Sequence, residues 1–396
     1  MMRDSWRLIL GIYLFGVCVS SSVTKIIPLS GNIGAQFGLG PAQFGWLVSI
    51  IALPAVLLAL ASAVIVERWG ARNVLIVAAA VGVLADAGYY SAHTMGLVWG
   101  LRLIEGVAIV HIYTAAPALL MQMTDGRRRT AAMTIWSTYM PVGTAMGLGL
   151  GGFFSDGEGW RMAFVAHGAM VFAALLVAFS LPRAATGAAG IGPAVALGDR
   201  IKALRTAFSR PDLMAFGLCY LLVISLGIGV NFALPQYLAR VRDLSMAQAS
   251  GMVAATTLAM LAGSMIAGGL LARNVPLRPL FTAIAAMGSV AGTLVFLPGL
   301  SLPVTYLVLA CWFTTSGAAI AALLASLPRV AGEGSLAAGA ALVNQAGAVA
   351  TLVNPPIWLL LAAIAGSVTF GSIMLACWLA AIAITAFLAR GMPAAA

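Results

Sequence analysis

Six ionisable side chains, Lys25, Asp86, Arg102, Glu105, His111 and His167, stand in the interior of long apolar runs. An ionisable group in hydrocarbon costs roughly several kcal/mol unless it is paired or faces water. Groups kept there pair with one another, exchange a proton or touch a charged ligand. Asp86 lies seven residues before His93, and Arg102 five after Leu97. Both therefore sit on the order of 8–10 Å below the same boundary of two runs joined by a short loop. An Asp86–Arg102 ion pair is expected. Glu105 shares a helix face with Arg102, and two acids beside one arginine leave one of them poorly neutralised. Glu105 is the better candidate to take up and release a proton, with Asp86 the second. Lys25 precedes Pro28 by three residues and follows Ser20-Ser21-Ser22-Val23-Thr24, with no acid in its own run. It either snorkels to the nearer interface or meets an anionic ligand. His111 is half a turn out of phase with Arg102, and His167 falls near a run's outer end. Both are expected to be packing or internally satisfied histidines, with a proton relay the lesser alternative.

The runs that hold these residues are membrane spans. The 396-residue chain is 62% hydrophobic and 8% charged, against about 25% charged residues in soluble domains. About 20 apolar residues make one helical crossing, and alternating segments of the β-barrel kind are absent from the pattern. Twelve spans are expected near 8–31, 44–66, 73–93, 97–122, 130–154, 162–181, 213–238, 248–271, 279–297, 302–326, 336–362 and 368–389. The long connection 182–212 divides the chain into an N-terminal six-helix bundle, 1–181, and a C-terminal one, 213–396. Within it Asp199–Arg205 reads as a basic amphipathic segment on the membrane surface. The first run is too long for a cleavable signal and is expected to be retained.

Sixteen of the 21 Arg and Lys fall on the side that carries the N-terminus, which places both termini in the cytoplasm and the chain in a bacterial inner membrane. The same bias accounts for the net charge of +10 without a nucleic-acid partner. Cys18, Cys219, Cys311 and Cys377 lie far apart within apolar runs and read as buried thiols. Neither metal-ligand spacing, cofactor motif nor catalytic constellation is visible, so an enzyme is not expected.

The halves repeat at a common offset of about 206 residues. Pro28 matches Pro235, Gly45 matches Gly251, Ala63 matches Gly269, and Thr130 matches Leu336. Two parallel six-helix halves with a site between them near the midplane are a known transporter plan. The charged hinge Ala63-Val-Ile-Val-Glu67-Arg68-Trp69-Gly70-Ala71-Arg72 resembles the loop between helices 2 and 3 of the major facilitator superfamily (MFS), Gly-x-x-x-Asp-Arg-x-Gly-Arg-Arg/Lys. Arg68, Gly70 and Arg72 match, while Ala63, Glu67 and Ala71 are replacements. Arg102-Leu-Ile-Glu105-Gly106 is similar to that family's Arg-x-x-Gln-Gly. Gly143, Gly147, Gly149, Gly151 and Gly152 resemble its glycine-rich fifth helix, with Leu148 or Leu150 where drug antiporters carry proline. Gly159-Trp160-Arg161-Met-Ala-Phe164 looks like its sixth-helix opening.

The resemblance implies an all-α integral membrane fold of twelve transmembrane helices in two six-helix bundles, without cofactor and monomeric. It implies alternating access, with proton coupling, for a small organic solute. Lys25 and Arg102 lean that cargo toward anions or carboxylates. Further cargo contacts on cavity-lining helices would be Tyr113, Trp136, Tyr139, Asn231, Trp312, Asn344 and Gln345. Glu67, Arg68, Gly70 and Arg72 would gate the cytoplasmic side, with Glu67 and Arg68 pairing to Arg127, Arg128 and Arg129 or to a helix end of the second half. The alternative is a proton-driven multidrug or metabolite efflux pump; from another class, a non-transporting membrane receptor.

Overall fold

The computed structural model describes residues 6–157, 159–181, 208–332 and 336–390, with the single positions 198, 202 and 205. Most of the 182–212 connection and its Asp199–Arg205 segment lie outside the described residues. Among the described residues every regular element is helical. Contacts divide the chain into two compact units: residues 1–195 with 244–254, and residues 196–243 with 255–396.

The first unit contains α1 (Trp6–Thr24), α2 (Ser30–Phe37), α3 (Pro41–Ser49), α4 (Leu53–Trp69), α5 (Ala71–Gly88), α6 (Met95–Met123), α7 (Gly126–Trp136), α8 (Tyr139–Phe153) and α9 (Trp160–Ser180). Among the described residues, eleven helices are long and apolar enough to cross a membrane. The span expected at 130–154 is broken at Ser137–Thr138 into α7 and α8, neither long enough alone. Gly70 joins α4 to α5 at φ +81°, a backbone region that a side chain disfavours.

Two expected spans are interrupted where proline removes a backbone donor. The first stops at Thr24, and a 3₁₀ turn, Ile27–Leu29 with Pro28 inside it, leads into α2. The second is interrupted between α3 and α4 by the turn Ile50–Ala52, just ahead of Pro54. Carbonyls near such breaks need donors from elsewhere.

One face of α8 explains how α1 is held. Gly143, Gly147 and Gly151 recur every four residues and so share one helix face. A Cβ at Gly143 would lie 2.5 Å from the Val17 carbonyl, and one at Gly147 only 2.6 Å from that of Ser21. At Gly151 it would collide with the carbonyl of Lys25. Small residues let membrane helices approach to backbone contact, and here they press the end of α1, with Lys25, into the bundle. α1 packs against α6 and α9 as well, and α5 against α6 and α9.

The second unit is built from helices Pro211–Gly227, Leu234–Arg242, Ala259–Ala272, Leu277–Leu294, Leu302–Ala331, Leu336–Ile364 and Ser367–Arg390. Its core is aromatic and aliphatic, with Phe281, Phe296, Trp312 and Trp378 fully buried. The seventh span breaks into a 3₁₀ turn at Gly229–Phe232, where Asn231 is buried. Cys311 and Cys377 are only partly buried, unlike Cys18 and Cys219. This departs from the expectation of four buried thiols, because the two lie on partly exposed faces of their helices.

Candidate functional site: a buried charge cluster

Lys25, Asp86, Arg102, Glu105 and His167 converge in the first unit, each at most 1% exposed. They come from α1, α5, α6 and α9. Lys25 Nζ donates to Asp86 Oδ1 and, at 2.7 Å, to Glu105 Oε1. Arg102 Nη1 donates to Glu105 Oε2 at 2.9 Å. His167 Nδ1 lies 2.7 Å from Asp86 Oδ2 and 2.9 Å from Lys25 Nζ. Two carboxylates thus face two cations and an imidazole, away from water.

The expected Asp86–Arg102 pair does not form. Arg102 instead takes the acid one turn along its own helix and the carbonyls freed near the α3–α4 break. Its Nε and Nη2 donate to Leu47 O and Val48 O at 3.4 and 3.2 Å, and Nη1 also reaches Ser22 O at 3.1 Å. Those carbonyls belong to residues buried within the protein and gain more from a charged donor than from none.

Glu105 is the most heavily donated acid of the cluster. Besides the two cations, Tyr89 Oη donates to its Oε2 at 2.8 Å and Ser22 Oγ to its Oε1 at 3.1 Å. Tyr89 is held by stacking on Phe164, with ring centroids 3.8 Å apart. The expectation that Glu105 would be the poorly neutralised acid therefore reverses: Asp86 has fewer partners.

Lys25 is fully buried, which corrects the snorkelling alternative. Its ammonium also lies 4.8 Å from the Phe164 ring centre, a cation–π distance. His167 departs most from expectation. It sits two turns into α9 rather than at an outer end, and its ring bridges α1 and α5. His111, by contrast, engages the Val107 carbonyl of its own helix through Nδ1 at 2.7 Å.

The remaining expected site residues fall into separate groups. Tyr113, Trp136 and Tyr139 meet in the first unit. Tyr139 has its ring centre 5.6 Å from that of Tyr113 and 4.7 Å from that of Trp136. Gly16 of α1 lies against this patch, since a Cβ there would be 2.8 Å from Tyr139. In the second unit Asn231 is buried with neither amide atom hydrogen-bonded, and the indole N–H of buried Trp312 has no partner either. Unsatisfied polar groups of this kind are uncommon in native interiors. Asn344 is exposed and Gln345 partly so.

In the hinge, Arg72 Nη2 donates to Phe179 O at 2.8 Å, fastening the α4–α5 turn to the end of α9. Arg68 is exposed and Glu67 partly buried. Of the three neighbouring arginines, Arg128 lies over the Trp6 ring and Arg129 donates to Thr124 O at 2.9 Å.

An all-helical, multi-pass chain with a charged α4–α5 hinge and a glycine-faced fifth span defines a class. The chain belongs to the Major Facilitator Superfamily, whose profile matches residues 10–355. Its fold is that superfamily's twelve-helix architecture in two six-helix bundles, a family of transporters and not of enzymes.

Among curated proteins, the chain is similar to the drug efflux pump JefA of Mycobacterium tuberculosis (strain CDC 1551 / Oshkosh). The two are 24% identical over 328 residues, 70% of this chain and 64% of that one. It is 23% identical over 178 residues to the uncharacterised MFS-type transporter Rv1250 of M. tuberculosis (strain ATCC 25618 / H37Rv), 45% of this chain and 30% of that one. The chain thus spans less than two thirds of the length of these curated relatives. Among solved structures it resembles a bacterial homologue of the human lysosomal transporter Spinster, with TM-score 0.76 and 17% identity over 98% of this chain and 95% of that one. It also resembles the human organic anion transporter MFSD10, with TM-score 0.70 and 17% identity over 96% and 98%. At these identities the structural likenesses show the fold alone.

Proposed function

We propose that this protein is a secondary active transporter that moves a small organic solute by alternating access, driven by a proton gradient. One observation carries the reading. Five side chains of the Asp, Glu, Lys, Arg and His types are buried together within the membrane-spanning helices of the first unit, while among the described residues the second unit buries none of those types. Ionisable groups inside a membrane are costly and mark ion or proton pathways. Two carboxylates and an imidazole in mutual contact form a set that can gain and lose a proton.

The direction best supported is export. The similarity to JefA favours it, and the site offers an anion little. Lys25 and Arg102 were expected to contact an anionic cargo, yet both already face carboxylates. An anionic cargo would have to displace Asp86 or Glu105. The cargo contacts proposed are instead the aromatic patch of Tyr113, Trp136 and Tyr139 and the unsatisfied groups of Asn231 and Trp312, with Asn344 and Gln345 on the eleventh span. The chain works as a monomer in a bacterial inner membrane with both termini cytoplasmic, a placement supported by the distribution of Arg and Lys. Glu67, Arg68, Gly70 and Arg72 form the cytoplasmic gate.

The test uses the purified full-length chain in vesicles. Ethidium, a drug-like cation, is the first probe, and a thermal-shift screen against amines, carboxylates and drug-like cations broadens the choice. An imposed pH gradient should drive uphill movement of a stabilising compound, and a protonophore should abolish it. Movement of that compound indifferent to the gradient contradicts the reading.

A further inference from the structure

The hydrogen-bond inventory around His167 fixes where hydrogens must be. Nε2 lies 3.0 Å from Cys18 O and 3.1 Å from Ser21 Oγ. Ser21 donates its own hydrogen to Cys18 O at 2.8 Å, so both neighbours of Nε2 are acceptors. Nε2 therefore carries a hydrogen. In a neutral imidazole the other nitrogen is then bare.

On the Nδ1 side stand Asp86 Oδ2 at 2.7 Å and Lys25 Nζ at 2.9 Å. Lys25 has three hydrogens and three oxygen acceptors: Asp86 Oδ1, Glu105 Oε1 and, at 3.5 Å, Ser22 Oγ. Its charged form meets every one of them, and a neutral amine would lack one hydrogen. That leaves the short Asp86–His167 contact unexplained. A bare ring nitrogen and an ionised carboxylate oxygen are both acceptors, and 2.7 Å between them requires a hydrogen. One proton more than ionised Asp86 and neutral His167 must lie on that contact. A carboxylic acid donating to imidazole and an imidazolium donating to carboxylate hold the same proton.

The other elements around the pair supply no competing explanation. α1 contributes Lys25, the Cys18 carbonyl and the Cys18 thiol. α6 contributes Glu105 and Arg102, and the 3₁₀ turn between α5 and α6 contributes Tyr89, which donates to Glu105. α8 carries only Tyr139 as a titratable side chain, and the charges of α4, Glu67 and Arg68, lie at its far end.

We propose that the Asp86–His167 pair is a proton-binding site and that the conformation described is its loaded state. Removing the proton sets two acceptors against each other, so the α5–α9 contact opens when the site empties. Its role in transport rests on the proton-coupled reading above, whereas the site itself rests on the geometry of the pair.

The experiment is nitrogen NMR of the full chain in lipid nanodiscs, with ¹⁵N in the histidines. There are three, His93, His111 and His167, and His167→Gln assigns the third. The expected result is a His167 with Nε2 protonated at every pH and Nδ1 passing from hydrogen-bonded to bare as pH rises. In Asp86→Asn that Nδ1 step should be lost while the His93 and His111 signals stay in place. A His167 with bare Nε2 and protonated Nδ1, or an Nδ1 that is bare throughout, overturns the proposal. So does an Asp86→Asn protein that titrates as the wild type does. If Asp86→Asn does not fold, the wild-type tautomer decides alone. An Nδ1 step without gradient-driven transport removes the transport reading and keeps the site; gradient-driven transport without the step does the reverse.

Discussion

Arg102 meets Glu105 at 2.9 Å, one turn along its own helix, and leaves Asp86 to Lys25 and His167. This local choice organises the cluster. It ties one acid to a guanidinium already fixed by three backbone carbonyls, and leaves the other acid between an ammonium and an imidazole.

Glu105 is accordingly expected to support structure more than to exchange protons. Glu105→Gln leaves Lys25 and Arg102 with one counter-charge fewer in a buried setting. Breaking a buried pair from one side costs about 3–5 kcal/mol, so thermal unfolding in detergent should shift markedly downward. An unchanged midpoint would contradict this role.

Lys25→Ala should be as damaging, because Asp86 and Glu105 both lose the ammonium they accept from. Pairing it with Asp86→Ala should recover part of the loss. A double-mutant cycle on unfolding measures that coupling; strict additivity would show that the two residues do not act on one another.

The glycine face of α8 predicts a steep steric dependence. Gly147→Val places a branched side chain against the Thr24 hydroxyl and the Ser21 carbonyl, where neither backbone can yield. Yield of folded protein and thermal stability should fall well below those of Gly149→Ala, whose added methyl meets open space. Equal behaviour of the two would mean that α1 and α8 do not pack this way.

The aromatic patch is expected to act on cargo affinity. Tyr139→Ala and Trp136→Ala should raise KM for a transported compound with a smaller effect on kcat. Equal KM values in wild type and variants would remove the patch from the cargo path.

The twelve spans, the superfamily and the residues able to carry charge were all legible in the sequence, because each leaves a one-dimensional mark. Apolar length marks a span, and a lone Asp within one marks itself. The pairing of charges was not legible. Spacing along α6 places Glu105 beside Arg102, but whether Asp86 turns toward α6 or toward α1 and α9 depends on the rotation of α5. No pattern within α5 fixes that. The partners of His167 are hidden for the same reason, since its phase against α1 exists only once the helices are packed. Within the glycine-rich fifth span, the four-residue recurrence of Gly143, Gly147 and Gly151 does leave a mark in the sequence. It marks the face that brings α1, and with it Lys25, into the bundle.

The central claim is that the buried cluster harnesses a proton through Asp86 and His167, and vesicle transport with matched variants tests it most directly. In wild type, a pH gradient should drive accumulation of a transported compound, and the same vesicles should exchange that compound downhill. Asp86→Asn and His167→Gln are predicted to lose gradient-driven accumulation while retaining exchange. Accumulation at wild-type levels in both variants would contradict the account.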